Sequence, residues 1–174
     1  MAAKSSAAAA KSTERELVVT RVLDAPRELV WKALTEPARL EQWWGPKGFT
    51  SRVHQLELRP GGTFLYSQRT PDGREMWGKW VYREIVAPER LVVVSSFTDE
   101  KGNLARHPFN PNWPLEMLTV STFTEHQGRT TVVVRMVPTN ATESERKTFD
   151  EGRDFMEEGF AGSFEKLDKY LASL

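Results

Sequence analysis

The side chains able to do chemistry in this 174-residue chain are few and scattered. Its three histidines, His54, His107 and His126, lie far apart in unrelated segments. None completes an HExxH, H-x-E or Cys/His metal pattern. Cysteine is absent, so thiolate nucleophiles, disulfides and cysteine-ligated metals are excluded. There is no GxSxG nucleophile elbow. Pro60-Gly61-Gly62 is too short for a phosphate-binding loop and reads as a tight hairpin turn. Acid/base catalysis would need a titratable group held inside a pocket. Arg69, Arg83, Glu84, Glu116 and Arg135 fall in expected strands and would qualify if they pointed inward, although charged strand residues face water by default. No catalytic residue, metal or cofactor is therefore assigned.

Binding is better represented than catalysis. Six Trp, nine Phe and three Tyr give a generous aromatic supply for one domain, and aromatic surface lines pockets for apolar ligands as well as filling cores. Gly152, Gly159 and Gly162 fall within an expected helix, where each costs roughly 1 kcal/mol relative to Ala. They allow either close approach of backbone to the sheet or empty volume for a ligand. The candidates for lining such a volume are Trp44, Met76, Trp77, Trp80 and Phe97 in the first part of the chain. In the second part they are Trp113, Met117, Phe155, Met156, Gly159, Phe160 and Ser163. Trp43 and Trp44 are adjacent, so one is expected to pack and the other to edge the cavity entrance. His107 could reach the mouth from a long loop.

The elements that would position these residues follow from periodicity. Residues 16–24 alternate as a strand and lead through Asp24-Ala25-Pro26 into a helix carrying Leu29, Val30, Ala33 and Leu34. Asp24 is expected to cap that helix, with Pro26 where no amide partner is needed. Pro37 closes it and opens a second short helix. Strand-rich segments then occupy residues 50–59, 62–69, 75–86, 90–98, 115–125 and 129–137, separated by Gly- and Pro-containing turns. Links this short join antiparallel neighbours. The exception is the long loop 99–114, with Gly102, Pro108, Pro111 and Pro114. From Thr142 to Leu174 the pattern predicts one long helix. Thr142 and Glu145 form a capping box there, and Phe149, Met156, Phe160, Ser163, Leu167 and Leu171 make a sheet-facing stripe. The expected fold is α+β: a curved antiparallel sheet of about seven strands, two short helices after strand 1, and a long C-terminal helix. Residues 16–174 are expected to form this domain and 1–15 a flexible N-terminal tail.

Lys+Arg (24) balance Asp+Glu (24), so no whole-molecule field draws the chain to nucleic acid or an anionic membrane. No apolar run approaches the roughly 20 residues that span a bilayer. A cytoplasmic location is expected.

Several motifs resemble a known family. Asp24-Ala25-Pro26 leading to Val30-Trp31, and Trp43-Trp44-Gly45-Pro46, look like the opening of START/Bet v 1-like proteins related to the activator of the Hsp90 ATPase. Arg59-Pro60-Gly61-Gly62-Thr63-Phe64, the run Glu84 to Leu91, and Phe164-Glu165-Lys166-Leu167 match its middle and end. The resemblance implies a helix-grip fold with a cavity between sheet and long helix. It implies a small apolar or amphipathic molecule as partner, and as alternatives a cyclase or aromatase-like enzyme or a stress-response, chaperone-ATPase-activating module. The activator proper has a further N-terminal docking domain, for which the segment before Glu16 has no room. A chaperone partner is not expected on that ground. An uncovered tryptophan or edge strand would be the means to a homodimer.

Overall fold

The alternation of apolar and polar residues along each extended segment is what sorts this chain into a one-sided sheet. The computed structural model describes residues 16–174; the N-terminal tail expected over 1–15 lies outside the described residues. Its strands are β1 (Leu17–Leu23), β2 (Thr50–Leu56), β3 (Thr63–Arg69), β4 (Glu75–Val86), β5 (Arg90–Thr98), β6 (Glu116–His126) and β7 (Arg129–Thr139). Helices α1 (Arg27–Thr35) and α2 (Pro37–Trp43) follow β1, while α3 (Glu143–Glu151) and α4 (Arg153–Ala172) close the chain. The strands make one curved, wholly antiparallel sheet in the order β1-β7-β6-β5-β4-β3-β2. The first strand therefore lies beside the last, with Leu17 opposite Met136.

Strand parity fixes what each face carries, because successive side chains point to opposite sides. In β1, Leu17 and Leu23 are buried, whereas Val18 and Val22 stand outward at 42% and 49% exposure. Arg21 shares the inner parity and ends in an ion pair with Asp168 of α4 at 2.6 Å. The core gathers at one end of the inner face. Val30, Trp31 and Leu34 of α1 and Leu40 and Trp43 of α2 meet Phe164, Leu167 and Leu171 of α4 over Phe64, Trp80, Tyr82 and Phe123. Burying a side chain such as Leu167 completely is worth about 2–3 kcal/mol.

Three sequence expectations are corrected. The terminal helix is two helices, α3 and α4, parted at Gly152. Asp24 does not cap α1: its carboxylate is exposed and 3.8 Å from Arg129, while the Pro26 carbonyl accepts from the amides of Leu29 and Val30. The strand expected over 50–59 ends at Leu56, after a bulge between Val53 and Gln55. The chain then turns sharply, so that a Cβ at Gly62 would lie 2.1 Å from the Glu57 carbonyl oxygen. Only glycine fits there.

The capping box is present as expected. The Thr142 hydroxyl accepts from the Glu145 amide at 3.1 Å, and the Glu145 carboxylate accepts from the Thr142 amide at 2.9 Å. That buried carboxylate also receives the Arg106 guanidinium from the long loop. The Thr142 amide first, and Arg106 with it, hold the Glu145 carboxyl below its ordinary value of 4.5. A depressed folded-state pKa contributes stability above the ordinary value, and that contribution is lost as pH falls through the folded-state value. Urea unfolding at a series of pH values should therefore show a fall below about pH 4.5 that is shallower in Glu145→Gln. Thr142→Ala should cost about 1 kcal/mol near neutral pH.

Candidate functional site

Helix α4 covers the sheet unevenly. Its second half is packed: Phe164, Leu167 and Leu171 are buried. Its first half stands off the sheet, and Phe155 is 80% exposed. Between that first half, the sheet and the 99–115 loop lies a cavity of about 1190 Å³. Every lining residue assigned from sequence borders it. Trp44, Met76, Trp77, Trp80, Phe97 and Met117 come from the end of α2 and from the sheet. Trp113 comes from the loop, and Phe155, Met156, Gly159, Phe160 and Ser163 from α4.

The two adjacent tryptophans divide. Trp43 is buried and donates its indole N–H to the Ala33 carbonyl at 2.9 Å. Trp44 is half-buried and meets Trp80 edge-on with ring centres 4.9 Å apart. Phe64 and Tyr66 extend this aromatic wall, 4.9 Å apart. Trp77 is a correction to the expected aromatic lining. Its strand position borders the cavity, but it has the opposite parity to Met76 and Trp80, and its ring stacks on His54 at 4.2 Å on the other face.

The helix glycines also separate. A Cβ on Gly152 would lie 2.9 Å from the Trp113 ring, so this glycine exists for close approach, and α3 gives way to α4 there. At Gly162 it would meet Lys47 at 3.3 Å. At Gly159 it would meet nothing within 4 Å, so its missing side chain leaves open cavity space.

The loop is tied to α3, which fixes one wall. Asn112 donates to the hydroxyls of Thr148 at 2.7 Å and Ser144 at 3.0 Å, Arg106 meets Glu145, and Trp113 packs on Phe149 with centres 5.8 Å apart. His107 borders the cavity between Phe97 and Trp113. Its Nδ1 accepts from the Phe109 amide at 3.0 Å, and burial lowers its pKa below the ordinary value, so the ring is neutral.

Sequence reasoning missed part of the lining. Tyr66, Gln68, Ser95, Thr119 and Ser121 add polar groups from the inner sheet face, and none of them stood out by composition. The parity of β3, β5 and β6 was the signal for them. The charged strand residues considered for catalysis do not line the cavity. Arg69 pairs with Glu75 at 3.5 Å, Glu84 with Arg90 at 3.3 Å and Arg135 with Glu16 at 2.7 Å. Burial pushes the Tyr66 hydroxyl far above its ordinary pKa, which keeps it protonated.

Residues 24–172 match the family described as Activator of Hsp90 ATPase homolog 1-like protein, and the chain belongs to that family. No curated protein matches it significantly. Among solved structures, a Mycobacterium smegmatis protein is 25% identical with a TM-score of 0.76, covering 93% of this chain and 94% of its own. An Arthrobacter aurescens protein is 26% identical with a TM-score of 0.75, over 91% and 87%. A Nitrosomonas europaea protein is 25% identical with a TM-score of 0.70, over 91% and 94%. The fold of this family commonly binds hydrophobic ligands. No helix among the described residues is long and apolar enough to cross a membrane.

The contrast between the glycines is measurable. Gly159→Ala should raise unfolding free energy by about 0.5–1 kcal/mol, because helix propensity improves and nothing is displaced. Gly152→Ala should lower it by about 1–3 kcal/mol, because the Trp113 ring must shift. Urea denaturation of the two variants checks both signs.

Proposed function

We propose that this chain, as a member of the activator of Hsp90 ATPase homolog 1-like family, binds a small apolar or amphipathic molecule between its sheet and α4. The observation that carries the reading is Gly159. A glycine stands in the middle of a helix where an added Cβ would meet nothing within 4 Å, and the open space beside it is the cavity. The helix gives up about 1 kcal/mol of propensity at that position. No close packing contact accounts for the glycine, whereas open volume beside the sheet does.

The wall chemistry supports binding over turnover. Apart from Lys47, Asp72, Arg74, Glu151 and Glu158, the lining is mainly indole, phenyl and thioether groups with isolated hydroxyls and amides. That is the pattern of sites that hold largely apolar ligands by burial and orient them by a few polar contacts. Tyr66 is held protonated and His107 neutral, so neither is an ionised group beside the ligand. Full enclosure of a two-ring aromatic compound would bury enough apolar surface for micromolar affinity at about 25 cal/mol per Å² after association costs.

N-phenyl-1-naphthylamine, a neutral dye whose emission rises and shifts blue in apolar surroundings, supplies the test. The wild-type protein should bind it saturably at one site. Gly159→Phe, which projects a ring into the cavity, should weaken that binding at least tenfold while leaving the thermal unfolding midpoint unchanged or raised. Failure of the wild type to saturate, or equal binding by the variant, would remove the cavity as the site. Native mass spectrometry of protein purified from its own host then asks what occupies it.

A further inference from the structure

Within the cavity the Trp44 indole N–H and the Thr119 hydroxyl are buried with no partner among the described residues, and a further unpaired donor, the Tyr66 hydroxyl, is set against a glycine. Tyr66 lies on the inner face of β3, directly opposite Gly78 of β4. Its phenol crosses over Gly78: a Cβ there would sit 2.6 Å from the Tyr66 hydroxyl oxygen. The glycine is the space that lets the ring lie along the sheet. Its hydroxyl borders the cavity, and no described residue hydrogen-bonds to it. The hydroxyl oxygen is not among the fully buried unpaired atoms, so an acceptor delivered by a ligand would exchange for a solvent contact, with the modest net gain of one hydrogen bond. Gly78 in turn pairs with Phe97, and the His107 ring lies 4.6 Å from Phe97. Because His107 Nδ1 accepts from the Phe109 amide, the ring proton of the neutral imidazole sits on Nε2, so this lining residue is also an uncharged donor.

The charged lining is already spoken for. Lys47 and Arg74 are the cavity's cations; Lys47 is 3.4 Å from Glu165, and Arg74 donates to Asp72 at 2.9 Å while lying over the Phe109 ring at 4.4 Å. Asp72, Glu151 and Glu158 also border the cavity, so a carboxylate or phosphate would meet more negative than positive charge. The aromatic wall beside Tyr66, with Trp44 and Trp80 edge-on at 4.9 Å, suits a flat ring.

We propose that the Tyr66 hydroxyl is the hydrogen-bond anchor of the cavity, and that the ligand it selects is a neutral ring compound carrying a carbonyl or hydroxyl acceptor. This rests on the cavity being the binding site and adds which chemistry it selects. The donors on this side are uncharged, and the space over Gly78 brings the anchor to the wall against which a ring would lie.

Equilibrium dialysis with a shape-matched pair tests it: 2-acetylnaphthalene, and 2-isopropenylnaphthalene, in which a methylene replaces the carbonyl oxygen. The wild type should prefer the ketone by about five- to tenfold, the worth of one net hydrogen bond. Tyr66→Phe should abolish that preference by weakening the ketone alone, and its unchanged binding of the alkene shows that the cavity is intact. The carbonyl stretch of the bound ketone should move to lower frequency in the wild type and return in the variant. Equal binding of the pair by the wild type, equal weakening of both by Tyr66→Phe, or tighter binding of 2-naphthoate than of the ketone would overturn the anchor while leaving the cavity as a binding site. If neither naphthalene binds at all, the cavity reading itself falls and takes the anchor with it.

Discussion

A one-sided sheet must cover its apolar face, and among the described residues a single long helix is there to do so. The packing of Phe164, Leu167 and Leu171 against the sheet and against α1 and α2 commits the second half of α4 to one end of the concave face. A rod fixed at one end of a curved surface cannot follow it along its length. The first half of α4 is therefore carried away from the sheet, and the uncovered strip of inner face becomes the cavity floor. Most features that look functional in this protein are consequences of that geometry: the half-buried aromatics, the lining hydroxyls, and the open glycine at position 159.

The remaining wall is made by a second constraint, the fastening of the long loop to α3. Arg106, Asn112 and Trp113 each contact α3 or the residue that follows it, by charge, hydrogen bond and ring packing respectively. Trp113 takes the volume where a side chain at 152 would stand, which explains both the glycine and the interruption between α3 and α4. The same tryptophan borders the cavity. Loop, helix break and cavity wall are thus one arrangement. Lys166 adds a tie at the other side of α4, donating to the Phe49 carbonyl at 2.9 Å.

Strand positions were legible in the sequence because alternation in segments such as Leu17–Leu23 and short turns such as Pro71-Asp72-Gly73 leave few ways to arrange the backbone. The capping box was legible for the same local reason: Thr142 and Glu145 satisfy one another within a single turn. What local pattern could not show was competition between distant segments. Asp24 is a good capping residue by type, yet the chain places its carboxylate outward beside Arg129. Gly152, Gly159 and Gly162 look alike in the sequence and do three different things, because what each faces (Trp113, empty space, Lys47) is brought there by another part of the chain. The lining aromatics were readable as a set, since large apolar side chains at inward positions must meet core or cavity. Tyr66 was not, because its distinction is the glycine opposite it on β4, a relation that only strand register reveals.

The neighbouring of β1 and β7 has a temporal side. Leu17 finds its sheet partner only at Met136, so among the described residues the first strand is paired with the last. Closing so long a loop is entropically costly, and folds dominated by such pairings assemble slowly. On a ribosome, β2 to β6 can form hairpins with their immediate successors as they emerge, whereas β1, with its outward Val18 and Val22, waits as an unpaired edge until nearly the whole domain is outside. The helix that roofs the cavity arrives later still. The open concave face is thus the last apolar face of the nascent sheet to be sheltered, and in the finished molecule part of it still lines the cavity.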